Sequence, residues 1–213
     1  MPQDPYEELG AALGRASSRA LVFSALGCIH RASAVLIAGG VVDGDVAPFS
    51  EGSLLEMGQL PDLEAIQAVV VSRQQGLAVL SADPETGELP EESDRAELLA
   101  MAAEMVLRAS VNTNPASLRE WADFCSSLSD DIAQHLDGMQ LSSVDEYNSR
   151  LPSPYEEIPP LPAREIFAQL EIIRIVDDAD ADAVSRISEL STELRRELLV
   201  IASEAAAPGG SSD

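Results

Sequence analysis

The stretch SSRALVFSALGCIHRASAVLIAGG, residues 17–40, decides the fold. Its apolar positions Leu21, Val22, Ala25, Ile29, Ala32 and Leu36 recur in steps of three and four, which marks one face of a helix. Gly39 and Gly40 stop the run. From Ala20 to Ala38 the segment is about long enough to span a bilayer. His30 and Arg31 stand near its middle, however, where a charge in lipid is costly. The segment is therefore expected to be the buried core helix of a bundle, with no membrane involved. Arg31 interrupts the apolar face and would be costly to bury alone. An acid such as Glu165 or Glu171 from the end of the chain could satisfy it, so a structural ion pair is expected there.

On the N-terminal side a short helix is expected to start after Pro5 and run through Leu9 to Leu13. On the other side, Val41 to Gly58 is Gly-rich, carries Asp43, Asp45 and Pro48, and reads as a long loop. Pro61 opens the next helix, with Asp62 and Glu64 complementing its dipole and Ile66, Val69, Val70, Leu77 and Leu80 on its apolar face. The turn Asp83 to Gly87 ends it, and Pro90 starts another with Leu98, Leu99, Met101, Ala102, Met105 and Val106 inward. Asn114 and Pro115 cap a further helix, Ala116 to about Leu136, bearing Trp121 and Phe124. Ser143 and Glu146 form a capping box. Leu151 to Pro162 holds five prolines and is expected to be a stiff, extended crossing.

From Ala163 to about Ala205 no Gly or Pro interrupts the chain, and one long closing helix is expected. Ile173, Val176, Ala183, Ile187, Leu190, Leu194 and Ile201 repeat on a heptad-like step. This predicts a helix packed across the bundle, with a homodimer seam as the alternative. The fold class is thus all-α: a single-domain helical bundle over residues 1–207 with a long C-terminal helix, then a disordered tail over 208–213.

Composition agrees. Apolar residues make up 46% of the chain but aromatics only 4%, which suits a core of aliphatic side chains between helices better than a sandwich or barrel. The 37 acidic residues outnumber thirteen basic ones, all Arg, for a net charge of −24. Such a chain is not expected to bind nucleic acid directly, since that needs clustered cations. Its field favours basic protein partners instead. A high-GC genome is the first explanation for the missing Lys, and salt adaptation the second. Asp4, Glu7 and Glu8 occupy the place of a positive n-region, so a cytoplasmic chain is expected. Cys28 and Cys125 are isolated in apolar contexts and read as buried reduced thiols.

Chemistry finds little purchase. Counting from Asp178, acids fall at positions one, three, five and twelve (Asp178, Asp180, Asp182, Glu189), the spacing of a calcium loop, but Ala183 stands where that loop needs Gly. A solvated acidic face is expected. The two histidines, His30 and His135, lie outside any zinc spacing, and no nucleotide-binding glycine loop is present. No catalytic residue, metal or cofactor is expected.

Three stretches resemble a known family. Arg15 to Ser18 and on through Val22 to Arg31, Ala65 to Val70, and Glu165, Gln169, Glu171 to Val176 with Leu190, Leu194 and Arg195 are similar to helices of the YjaG-like proteins. These are small all-helical bacterial proteins grouped as a domain of unknown function. The chain departs from them at His30-Arg31, where the family has an acid-Arg pair, and in the aromatic residues that follow. The resemblance implies a helical bundle and assigns no catalytic residue.

The function expected from these features is non-enzymatic: an acidic interaction protein, of immunity or inhibitor type, that clamps a basic protein partner. Expected contacts are Val41 to Gly58, the proline-rich segment with Tyr155, Glu156 and Glu157, and the acidic patch Asp177, Asp178, Asp180 and Asp182. The alternatives are a homo-oligomeric structural protein paired through its last helix, and a small-molecule enzyme with a pocket near Arg31, His30 or His135. The first of these makes the chain a homodimer; otherwise it is a monomer.

Overall fold

The computed structural model describes residues 4–42, 94–108, 114–139, 158–178 and 182–206, together with Ala68, Val71, Ser72 and Gln75, which are helical. Six helices and no strand occur among the described residues: α1 (Pro5–Arg15), α2 (Ser18–Ala38), α3 (Asp94–Leu107), α4 (Pro115–Met139), α5 (Pro160–Asp177) and α6 (Ala183–Ala206). The fold is an all-α bundle.

Helix α2 is its axis. Every residue from Ala20 to Leu36 is buried, including Ser24, His30, Arg31 and Ser33. A helix that is apolar on all sides is stable only when neighbours surround it, and α3, α4, α5 and α6 all pack on α2. It is also the one helix among the described residues long and apolar enough to cross a membrane, and the bundle encloses it.

Both ends of α2 are closed by hydrogen bonds. The Ser17 hydroxyl accepts from the Ala20 amide at 3.2 Å, capping the first turn. At the other end the Gly40 amide donates to the Ile37 carbonyl and the Val41 amide to the Leu36 carbonyl, both at 2.9 Å. This is a Schellman closure, and it needs a left-handed residue at Gly40, whose φ is +72°. Gly39 serves packing: a Cβ there would clash with a methyl of Leu99 on α3.

Side-chain contacts fix the helix directions. Ser17 meets Asp177 and Arg31 meets Glu165, so α5 runs antiparallel to α2. Arg31 meets Ser191 and Ser33 meets Arg195, so α6 runs parallel to it. Glu97 faces His135, and the Arg108 guanidinium lies 5.3 Å from the centre of the Phe124 ring, so α3 and α4 are antiparallel. The core between these helices is aliphatic, with Trp121 the single buried tryptophan.

Two expectations are corrected. The closing segment is an antiparallel hairpin of two helices, α5 and α6, and not one long helix. Asp178 caps the end of α5, and the Asp182 carbonyl accepts the first helical bond of α6 from the Arg186 amide at 3.1 Å. Carboxylates are unfavourable at a helix C-terminus and favourable at an N-terminus, so an acidic run suits the end of one helix and the cap of the next. The hairpin is tied by Arg186 to Glu171 near its turn and Arg164 to Glu197 farther down. The second correction concerns the proline-rich crossing, which ends earlier than expected. Pro160 and Pro162 lie in the first turn of α5, where a missing N–H costs nothing, and the Ala163 amide makes the first bond to the Pro159 carbonyl at 3.0 Å.

Candidate functional site

Polar side chains from four helices meet in the middle of this core. Arg31 of α2 is wholly enclosed, and so, within 1% exposure, is Glu165 of α5. The guanidinium grips the carboxylate with two parallel bonds: Nε donates to Oε2 at 2.7 Å and Nη2 to Oε1 at 2.5 Å. This forked geometry is the strongest form of the pair. Around it, Gln169 Nε2 donates to Glu165 Oε1 at 3.0 Å, and Cys28 Sγ lies 3.6 Å from the same oxygen. The Ser129 hydroxyl of α4 also bonds Glu165, and Arg31 Nη1 reaches Ser191 Oγ of α6 at 3.4 Å. One turn along, Arg195 Nε donates to Ser33 Oγ at 3.1 Å, and that hydroxyl donates to the His30 carbonyl at 2.6 Å.

Two opposed effects set the charge state. Burial alone would push the Glu165 carboxyl up; the Arg31 guanidinium and the bonds from Arg31, Ser129 and Gln169 outweigh it and hold the group below its ordinary range. Burial likewise opposes the charge on Arg31, and Glu165 more than offsets it. The Cys28 thiol is pushed up by burial and then by the neighbouring carboxylate, which outweigh Arg31. Burial raises the Cys125 thiol too, and Cys28 adds to the rise. Neither thiol is poised as a nucleophile, because the thiolate is the reactive form.

Gly27 makes the pair possible. A Cβ at that position would sit 2.9 Å from Arg31 Nη1 and 2.9 Å from Ile172 Cδ1. The guanidinium therefore lies folded over the glycine, in space any other residue would fill. Ser24 Oγ and Gln169 Oε1 are buried beside this seam without a hydrogen-bond partner among the described residues. The cluster is locked and shut off from solvent. What it can do chemically is hold α2, α4, α5 and α6 in one register.

Of the two acids considered for Arg31, only Glu165 meets it. Glu171 sits at the rim of α5 and takes Arg174 at 2.7 Å and Arg186 at 3.5 Å; the bond from Arg174 holds its carboxyl below the usual range. The acidic patch is divided by the hairpin turn. Asp177 accepts from the Ser17 hydroxyl at 2.6 Å, Asp178 faces Arg174 at 3.4 Å, and Asp182 lies exposed at the start of α6. Glu189 belongs to α6, so the calcium-loop spacing is not a loop, and no group of three or more His, Cys, Asp or Glu among the described residues could hold a metal. Asp180, Tyr155, Glu156 and Glu157 lie outside the described residues, as does almost all of Val41 to Gly58.

The histidines do not converge on Arg31. His30 is buried, while His135 of α4 is half-exposed, bonds the Asp131 carbonyl at 3.0 Å and stands 3.5 Å from Glu97 of α3. The apolar stripe of α6, including Ile187, Leu194, Leu198 and Ile201, is buried inside the chain.

Sequence reasoning did not gather Cys28, Ser129, Gln169, Ser191 and Arg195 around the ion pair. The available signal was spacing. Cys28 with Arg31, Glu165 with Gln169, and Ser191 with Arg195 are polar pairs one helical turn apart on otherwise apolar faces. It also passed over α4, whose outer face carries Glu120, Asp123, Ser127, Asp131 and Gln134, all exposed. Among the described residues no salt bridge holds the carboxylates of Glu120, Asp123 or Asp131, and Arg119 is the neighbouring cation on that face. Beside them Tyr6 of α1, 43% exposed, donates to Asp130 at 3.3 Å. Burial and then Asp130 push its phenol up to about 12. No family model, no curated protein and no solved structure matches the chain.

Proposed function

We propose that this chain is a non-enzymatic, acidic helical interaction module, of inhibitor or immunity type, that captures a basic protein. The observation that carries the reading is the sorting of charge. Among the described residues Arg31 and Arg195 are buried with a single buried acid, Glu165, so the residues outside this cluster are together one charge more negative than the chain's total of −24. Of the remaining arginines, Arg108, Arg164, Arg174 and Arg186 are held by Glu104, Glu197, Glu171 and Asp178. The stripe Glu120, Asp123 and Asp131 is left facing water. Such a surface steers a cationic partner to the encounter and sets its orientation, while a few close contacts set the affinity. The exposed Asp182 at the hairpin turn belongs to the same proposed surface. A cytoplasmic location, where Cys28 and Cys125 stay reduced, and common ancestry with the YjaG-like proteins are parts of the same proposal.

The test is capture of a partner from the cell of origin by the immobilised full chain, followed by affinity measurement with the purified partner. Affinity is expected to fall several-fold between low and moderate salt, and again when Glu120→Gln, Asp123→Asn and Asp131→Asn are combined. A captured partner whose affinity ignores both salt and the triple variant would overturn the reading.

A further inference from the structure

We draw no further inference here: the strongest candidate, the unpartnered Ser24 hydroxyl and Gln169 carbonyl in the seam between α2 and α5, belongs to the buried cluster already described and, with both side chains fully enclosed, offers no path from solvent to a ligand.

Discussion

Arg31 has no route to water, so the chain tolerates its charge only while Glu165 is ionised beside it. Removing one member of such a pair strands the other, which costs about 3–5 kcal/mol, whereas replacing both by apolar residues is often neutral or stabilising. Glu165→Gln is therefore expected to lose about 3–5 kcal/mol in urea unfolding, and Arg31→Met with Glu165→Leu to lose far less. A double variant as unstable as the single one would show that the pair contributes net stability of its own. Gly27→Ala weighs two effects. Alanine gains about 1 kcal/mol of helix propensity, but its methyl meets the Ile172 methyl and Nη1 of the guanidinium, each at 2.9 Å, and that guanidinium is pinned through Nε and Nη2 by Glu165. Overpacking of this kind costs about 1–3 kcal/mol, so the variant is expected to be less stable than the parent. In the Arg31→Met, Glu165→Leu background the loss should shrink, because the pinned guanidinium is gone. If Gly27→Ala proved more stable than the parent, the guanidinium would have room to move.

The helix ends carry the next level of specification. Gly40 adopts φ +72° with open space around its Cα, so Gly40→Ala is expected to cost about 1 kcal/mol from backbone strain alone, and Gly40→Asn less. Equal stability of the alanine and asparagine variants in thermal melts would mean that the closure is not what stops α2. The stop was legible because two glycines follow an apolar run, and the burial of Arg31 was legible because a lone charge on an apolar face must find a partner. The α5–α6 hairpin was not legible. Both of its helices bury their apolar faces in the same bundle, so Ile173, Val176, Ala183 and Ile187 keep step through a turn that contains neither Gly nor Pro. The run of aspartates was the only mark of the break, and it reads equally as a solvated helix face. The start of α5 was hidden for the opposite reason: Pro160 and Pro162 break a helix interior but fit a first turn, and sequence alone does not say which they occupy. The cluster around the ion pair fell between these cases, with each polar pair visible along its own helix and the meeting of α2, α4, α5 and α6 visible only in three dimensions.

For the whole molecule the question is how −24 charges coexist with a compact fold, and the titration shifts give the answer a sign. Glu165 and Glu171 are held below their ordinary range, so their contribution is present at neutral pH and is lost as pH falls through their lowered values. Asp130 and Asp137 are raised, chiefly by burial, so protonating them favours the folded state, and that contribution fades as pH rises through their elevated values. Acidification from neutrality should therefore first stabilise the chain, as Asp130 and Asp137 take up protons and repulsion between carboxylates falls. It should then destabilise it steeply once Glu165 is protonated and Arg31 is left alone in the core. At neutral pH, added salt screens the repulsion, and each 1 kcal/mol relieved should raise Tm by about 2–4 °C for a chain of this size. Urea midpoints measured from neutral to strongly acidic pH should trace a maximum on the mildly acid side, and Glu165→Gln should flatten the acid limb while leaving the salt response in place. A stability that climbs steadily with pH, or an acid limb unchanged in Glu165→Gln, would mean that exposed carboxylates rather than the buried pair set the acid limit of the fold.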